Sequence, residues 1–198
     1  MTVSDTLPNA RPTLIGLPYD ASSSFLRGPS LAPARIREEL HSPQSNGCSE
    51  SGIHVLAADA LSDVGDLVLP ATAEARGMIE RGVRALIESG ARPLSLGGDH
   101  SVTYPVLRAI GPLVQGLTIL QIDAHPDLYG DFEGDRFSHA CPFARIMEEK
   151  LATRLVQVGI RTMNALQRAQ ATHFGVRVID MRAWAGGERP QLRGPLYV

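Results

Sequence analysis

Short apolar runs recur along this chain, separated by polar loops and by segments whose apolar positions repeat at helical spacing. "TLIGL", "RPLSL", "LTILQI", "RLVQVGI" and "VRVIDM" each read as a buried strand, because a brief apolar run bounded by turn formers leaves no polar face for water. Helices lie between them. From Ala32, "APARIREEL" reads as a helix with Pro33 in its first turn, where the missing N–H has no intrahelical partner to lose. In "ATAEARGMIERGVRALIESG", Met78, Ile79, Val83, Leu86 and Ile87 fall on one helical face, and Gly90 marks the stop. "VTYPVLRAIG", "PFARIMEEKLA" and "NALQRAQATHFG" are three further helices. A short strand and a turn are expected in "IHVLAADALSDVGD", and a strand begins at "PLYV". "HSPQSNGCSESG", "LYGDFEGDRFS" and "ERPQLRG" are loops or turns. Strands alternating with helices predict an α/β fold, a mostly parallel sheet with helices on both faces.

Composition narrows the function classes. The chain has 198 residues, 43% of them hydrophobic and 20% charged, which suits one ordinary globular domain. Residues 1–12 are polar and Pro-containing and are expected to form a loose arm, with a single domain over residues 13–198. A net charge of -2 without a basic stripe argues against nucleic acid or an acidic membrane surface as a partner. The N-terminus lacks the apolar core of a secretory signal, and no stretch approaches the roughly 18 apolar residues of a membrane span. Cys48 and Cys141 have no CxxC spacing, so a reduced, cytoplasmic setting is expected.

Two motifs carry chemistry: Gly-Gly-Asp-His-Ser at Gly97–Ser101 and Asp-Ala-His-Pro-Asp at Asp123–Asp127. Each follows an apolar strand, so its polar residues sit at a strand's C-terminal end, where open α/β folds place their sites. In an extended segment Asp123, His125 and Asp127 project to one side. If the strands ending at Leu96 and Ile122 lie side by side, His100 faces the same volume. Few imidazoles and many carboxylates favour a hard divalent ion such as manganese over a thiolate-bound structural zinc. Singly, such residues serve as caps or turn residues; together they point to a metal. Asp99 reads as structural, a carboxylate for backbone amides beside a glycine turn. Gly97-Gly98 lacks GxGxxG, which argues against a dinucleotide-binding domain.

"SLGGDHSVTYPVLRAI" and "LQIDAHPDLYG" resemble the arginase/agmatinase ureohydrolases, and the likeness extends over nearly the whole chain. "LIGLPYDASSSFLRGPSLAPARIREEL", "SDVGD", "SHACPFARIMEEK", "RLVQVGIRTMN" and "HFGVRVIDMR" are similar to family segments, in wording nearest the plant-type arginases and bacterial relatives. The resemblance implies a three-layer α/β/α fold and two Mn2+ ions. It implies that His100, Asp123 and Asp127 bind one ion, that His125 binds the other, and that Asp123 bridges them. His139 in "FSHACPF" matches a histidine that shuttles protons or orients substrate, against the alternative of a loop or capping histidine. The implied reaction hydrolyses a guanidino group, of agmatine or arginine, to urea and an amine. Formimidoylglutamate hydrolysis on the same fold is an alternative, as is a truncated, non-catalytic member. Trimers or hexamers are implied by kinship.

Two departures qualify the resemblance. Animal arginases carry Asn where this chain has Tyr129, a substrate-binding position, so the substrate's tail stays open between agmatine, arginine and other guanidino compounds. Asp131, Glu133 and Asp135 suit a cationic tail, but a solvated loop face is the expected reading. The family's SxDxDxxDP motif follows a strand like "PLYV", whereas the sequence stops at Val198. The expectation is that these 198 residues alone hold the second ion weakly and are not an efficient ureohydrolase.

Overall fold

A computed structural model describes residues 10–57 and 59–198. The chain divides into two compact units, one running to Ala109 and the other from Ile110 to Val198. Each carries its own parallel sheet.

In the first unit the strand order is β2-β1-β3, with β1 Pro12–Leu17, β2 Ser62–Asp66 and β3 Arg92–Gly97. The central strand β1 is buried from Thr13 to Leu17, as a strand hydrogen-bonded on both edges and covered on both faces should be. It runs in continuous register with β3, from Pro12 opposite Arg92 to Leu17 opposite Gly97. Pro12, expected in the arm, is therefore the first residue of a strand; residues 1–9 of that arm lie outside the described residues.

Helix α1 (Ala32–Leu40) packs on β1 and β3, and α2 (Glu74–Glu88) packs on β3. The buried stripe of α2 is Ala75, Ile79, Val83, Leu86 and Ile87. Ala75 extends the expected face by one turn, and Met78 sits half-buried at its margin. Arg37 of α1 donates from Nε and Nη2 to the two carboxylate oxygens of Asp63 at 2.7 and 2.9 Å, and from Nη1 to Asp66. These bonds hold the Asp63 carboxyl below the usual carboxylate range. Helix α3 (Thr103–Ile110) follows a 3-10 turn at His100–Val102.

Between β3 and that turn the backbone comes very close to another segment. The Gly98 amide donates to Leu17 O at 3.0 Å, and the Asp99 amide to Tyr19 O at 2.8 Å. A Cβ at position 98 would lie 1.9 Å from Tyr19 O. Only glycine fits, and the contact is with backbone, which cannot swing away. Gly98→Ala is expected to destabilise the chain by about 1–3 kcal/mol, the usual cost of forced overpacking, as a lowered urea midpoint. An unchanged midpoint would mean that this approach is not required for folding.

The second unit holds the order β6-β5-β4-β7, with β4 Thr118–Ile122, β5 Arg154–Ile160, β6 Arg177–Asp180 and β7 Leu196–Tyr197. Two residues of "PLYV" pair with Thr118 and Ile119 of β4. Helices α4 (Pro142–Glu148) and α5 (Ala165–His173) form within the segments expected to be helical. Asn164 caps α5 by accepting from the Gln167 amide while the Gln167 side chain returns to the Asn164 amide.

One element departs from expectation. The strand read through Met181 ends at Asp180, and Met181–Ala185 forms a short helix, α6. Asp180 starts it by accepting from the Ala183 amide at 2.8 Å. Ala183 and Trp184 then pack on the buried cluster Val156, Val158 and Ile179. No described helix is long and apolar enough to cross a membrane.

Candidate metal centre

The first motif is built on the end of β3. Asp99 is 5% exposed and acts as a backbone clamp, as its sequence context suggests. Its Oδ2 accepts from the Ser22 amide at 3.0 Å and Ser23 Oγ at 3.2 Å, and its Oδ1 from the Ser101 amide at 3.0 Å. With both oxygens engaged, Asp99 fixes the turn that begins at His100.

The second motif is built on the end of β4, and here the extended geometry expected for Asp123–Asp127 fails. The chain bends at Ala124 and His125, and Asp127 has a φ of 46°. The cause is local. Asp123 Oδ1 accepts from the His125 amide at 2.9 Å, closing a turn where a strand would have continued.

A pair of glutamines supports this turn from below. Gln121 Nε2 donates to Asp123 Oδ2 at 3.1 Å and to His125 O at 2.9 Å. Gln157 is fully buried, and its Nε2 donates to Gln121 Oε1 at 2.7 Å and Pro126 O at 2.6 Å. Asp123, His125 and Pro126 are thus each tied to a glutamine side-chain amide. Gly159, with φ 89°, lets β5 pass the turn; a Cβ there would sit 3.2 Å from Asp123 O. Sequence reading missed Gln121 and Gln157. Their signal is a polar side chain inside each of two otherwise apolar strands.

The residues expected to bind metal divide as follows. In the second unit Asp123 and Asp127 each offer a carboxylate oxygen, and these atoms lie within 4.8 Å of each other, while His100 stands in the first unit, directly after β3. His125 is not in that group. Its side chain is 64% exposed, with Nδ1 3.6 Å from Asp123 Oδ1. The strands bearing the two motifs are not hydrogen-bonded neighbours: β3 pairs with β1, and β4 with β5 and β7.

One imidazole and two carboxylates form a donor set that suits a hard divalent ion, so these residues fit a manganese-type ligand by their chemistry. Cys141 offers no rival thiolate. Burial, above all, pushes its thiol up to about 12, leaving it protonated at neutral pH.

The loop after the motif carries the remaining expected residues. Tyr129 accepts at its hydroxyl from Asn164 Nδ2 at 2.7 Å, and its ring lies 5.2 Å from that of Phe132. Phe132 in turn meets the His139 ring edge-on at 6.4 Å. His139 Nδ1 is 3.4 Å from Ser138 Oγ. Arg145 of α4, only 3% exposed, pins the loop by donating from Nη1 to Gly130 O at 2.7 Å and Arg136 O at 3.1 Å. Asp131, Glu133 and Asp135 are exposed, as a solvated loop face requires.

The architecture is mostly parallel α/β, with an imidazole and two carboxylates on the segments that follow two strand ends. The Arginase family model matches residues 10–189, and the chain belongs to that family. Arginase 1, mitochondrial, of Arabidopsis thaliana is 42% identical over 192 residues, covering 92% of this chain and 56% of the relative. The N(1)-aminopropylagmatine ureohydrolase of Thermus thermophilus is 36% identical over 161 residues, covering 78% of this chain and 52% of the relative. The arginase structure from Medicago truncatula superposes with a TM-score of 0.84 at 38% identity, covering 93% of this chain and 62% of that one. The chain thus spans little more than half the length of the curated relatives it matches.

Proposed function

We propose that this chain carries the metal-holding part of a ureohydrolase that uses Mn2+ to cleave a guanidino C–N bond, releasing urea and an amine. The observation that carries the reading is the carboxylate pair Asp123 and Asp127, within 4.8 Å of each other on one of the two motifs expected from sequence, in a chain of the arginase family. With His100 these two would hold one ion. His125, beside Asp123, would hold a second with Asp123 shared. When bound, the ions supply an activated water and stabilise charge as the guanidinium carbon becomes tetrahedral.

The chain's own residues do the rest. Asp123 accepts from Gln121 Nε2 and from the His125 amide, which orients its carboxylate. The glutamine pair holds it in place, as outer partners of metal ligands do. His139 carries a proton to the leaving amine, a task an imidazole performs near neutral pH. Tyr129, its hydroxyl anchored by Asn164, faces the substrate's tail. Arginine and agmatine are the leading substrates; one relative above is named an arginase and the other a ureohydrolase of an agmatine derivative. We further propose a self-associating, cytoplasmic enzyme.

The test is urea release from arginine and agmatine with Mn2+, by this sequence within a chain of the relatives' full length. Urea release that requires Mn2+ and falls at least about 100-fold on His139→Ala, with bound Mn2+ unchanged, supports the reading. Formamide release from formimidoylglutamate without urea would assign the sister reaction. No product from any of the three would overturn the proposal.

A further inference from the structure

Beyond the ends of β5 and β6 lies a cleft of about 360 Å³ to which the proposed hydrolysis gives no role. Ile160 and Val178 contribute apolar lining, and Arg161, Arg168 and Arg182 are three arginines among its lining residues. Ile160 and Asp180, which pair across the two strands, close its strand side. Parallel α/β sheets take ligands beyond the carboxyl ends of their strands, and this volume lies in the usual range for a small-molecule site.

The charge of the cleft is unbalanced. The chain as a whole carries -2, yet here three guanidiniums face one carboxylate, Asp180. One oxygen of that carboxylate already caps α6 through the Ala183 amide. Neighbouring arginines of the same unit are spoken for. Arg177 pairs with Glu188, Arg154 donates to Gln191 O, and Arg189 stacks over Trp184 at 3.9 Å. Among the described residues, the guanidiniums of Arg161, Arg168 and Arg182 make no hydrogen bond or ion pair.

A guanidinium presents a planar fork of donors that matches two oxygens of one anion. A single carboxylate saturates one fork. Three forks around one cleft call for more acceptor oxygens, as in a phosphoryl group or a polycarboxylate. We propose that this cleft binds a multivalent oxyanion of that kind through Arg161, Arg168 and Arg182, independently of the metal centre.

Calorimetric titration tests this with the 198-residue chain in EDTA, the probes compared at one ionic strength set by chloride and the series repeated at higher chloride. The probes are pyrophosphate, citrate and acetate. Saturable binding of pyrophosphate or citrate, weak or absent binding of acetate, and a Kd that rises with salt are expected. The tighter of the first two identifies the ligand chemistry. Arg161→Gln with Arg182→Gln should raise that Kd at least 10-fold while leaving circular dichroism and the thermal midpoint unchanged, since both side chains are exposed. Three results would each overturn the proposal. One is no saturation by either multivalent anion, and a second is the same Kd in the double variant. The third is a double variant that alters self-association on a sizing column while its anion Kd stays the same, which would make the arginines a contact between copies.

Discussion

Asp123→Asn is expected to abolish Mn2+ binding over the range in which the unmodified chain saturates. The substitution keeps the shape of the side chain but removes the charge of one of two neighbouring carboxylates, Asp123 and Asp127. It also breaks the support. Asp123 accepts at both oxygens, from the His125 amide and from Gln121 Nε2. An asparagine accepts at one and sets an NH2 against the other donor. The loss should exceed the roughly 10- to 100-fold typical of removing an outer partner of a ligand. Gln157→Leu, which strips the outer layer alone, should fall within that range and serves as the comparison. Titration of Mn2+ followed by paramagnetic resonance of the free ion reads both. Equal affinity in Asp123→Asn and the parent would remove Asp123 from the site.

Arg145→Met should cost about 3 kcal/mol of stability. The guanidinium is buried, yet its partners are chiefly backbone carbonyls, Gly130 O and Arg136 O, together with Glu148. Hydrogen bonds from a charged group contribute about 1.5–3 kcal/mol each, and methionine fills the space while satisfying neither carbonyl. Glu148 loses less, because it is part-exposed and also pairs with Arg136 at 2.9 Å. Urea unfolding gives the number. A loss below about 1 kcal/mol would mean that water reaches both carbonyls once the side chain is gone.

The parts legible in the sequence are those set by burial alone. Apolar runs gave β1, β4 and β5, which are buried for most of their length, and the same signal found β3, although none of its residues is buried and Leu94 is 50% exposed. Helix α2 was legible from its apolar spacing and the glycine that stops it. Asp99 was readable because an acidic residue after two glycines has few other uses. The misses have the opposite character. Helix α6 is too short to show a period; it exists because Asp180 caps it and Trp184 finds a buried cluster. The bend at Asp123–Asp127 arises from one side-chain-to-amide bond that overrides strand propagation. Gln157, fully buried, looks in sequence like any polar residue on a strand's wet face. Its meaning appears only when Gln121, thirty-six positions away, arrives beside it. The ligand trio was legible as a motif, while the separation of β3 and β4 into different pairings was not.

Cys141 gives the second unit an internal clock. Its thiol is fully buried and held protonated, whereas Cys48 is exposed. An alkylating reagent in native buffer should therefore label Cys48 at once and reach Cys141 only through transient opening of the polypeptide around it. The labelling rate at Cys141 then becomes a measure of how often the segment from Asp135, whose carbonyl accepts from the thiol, to α4 comes apart. Because Arg145 lies in that same helix, weakening its grip speeds this clock, and the change is readable by mass spectrometry on a protein that by every bulk criterion is still folded.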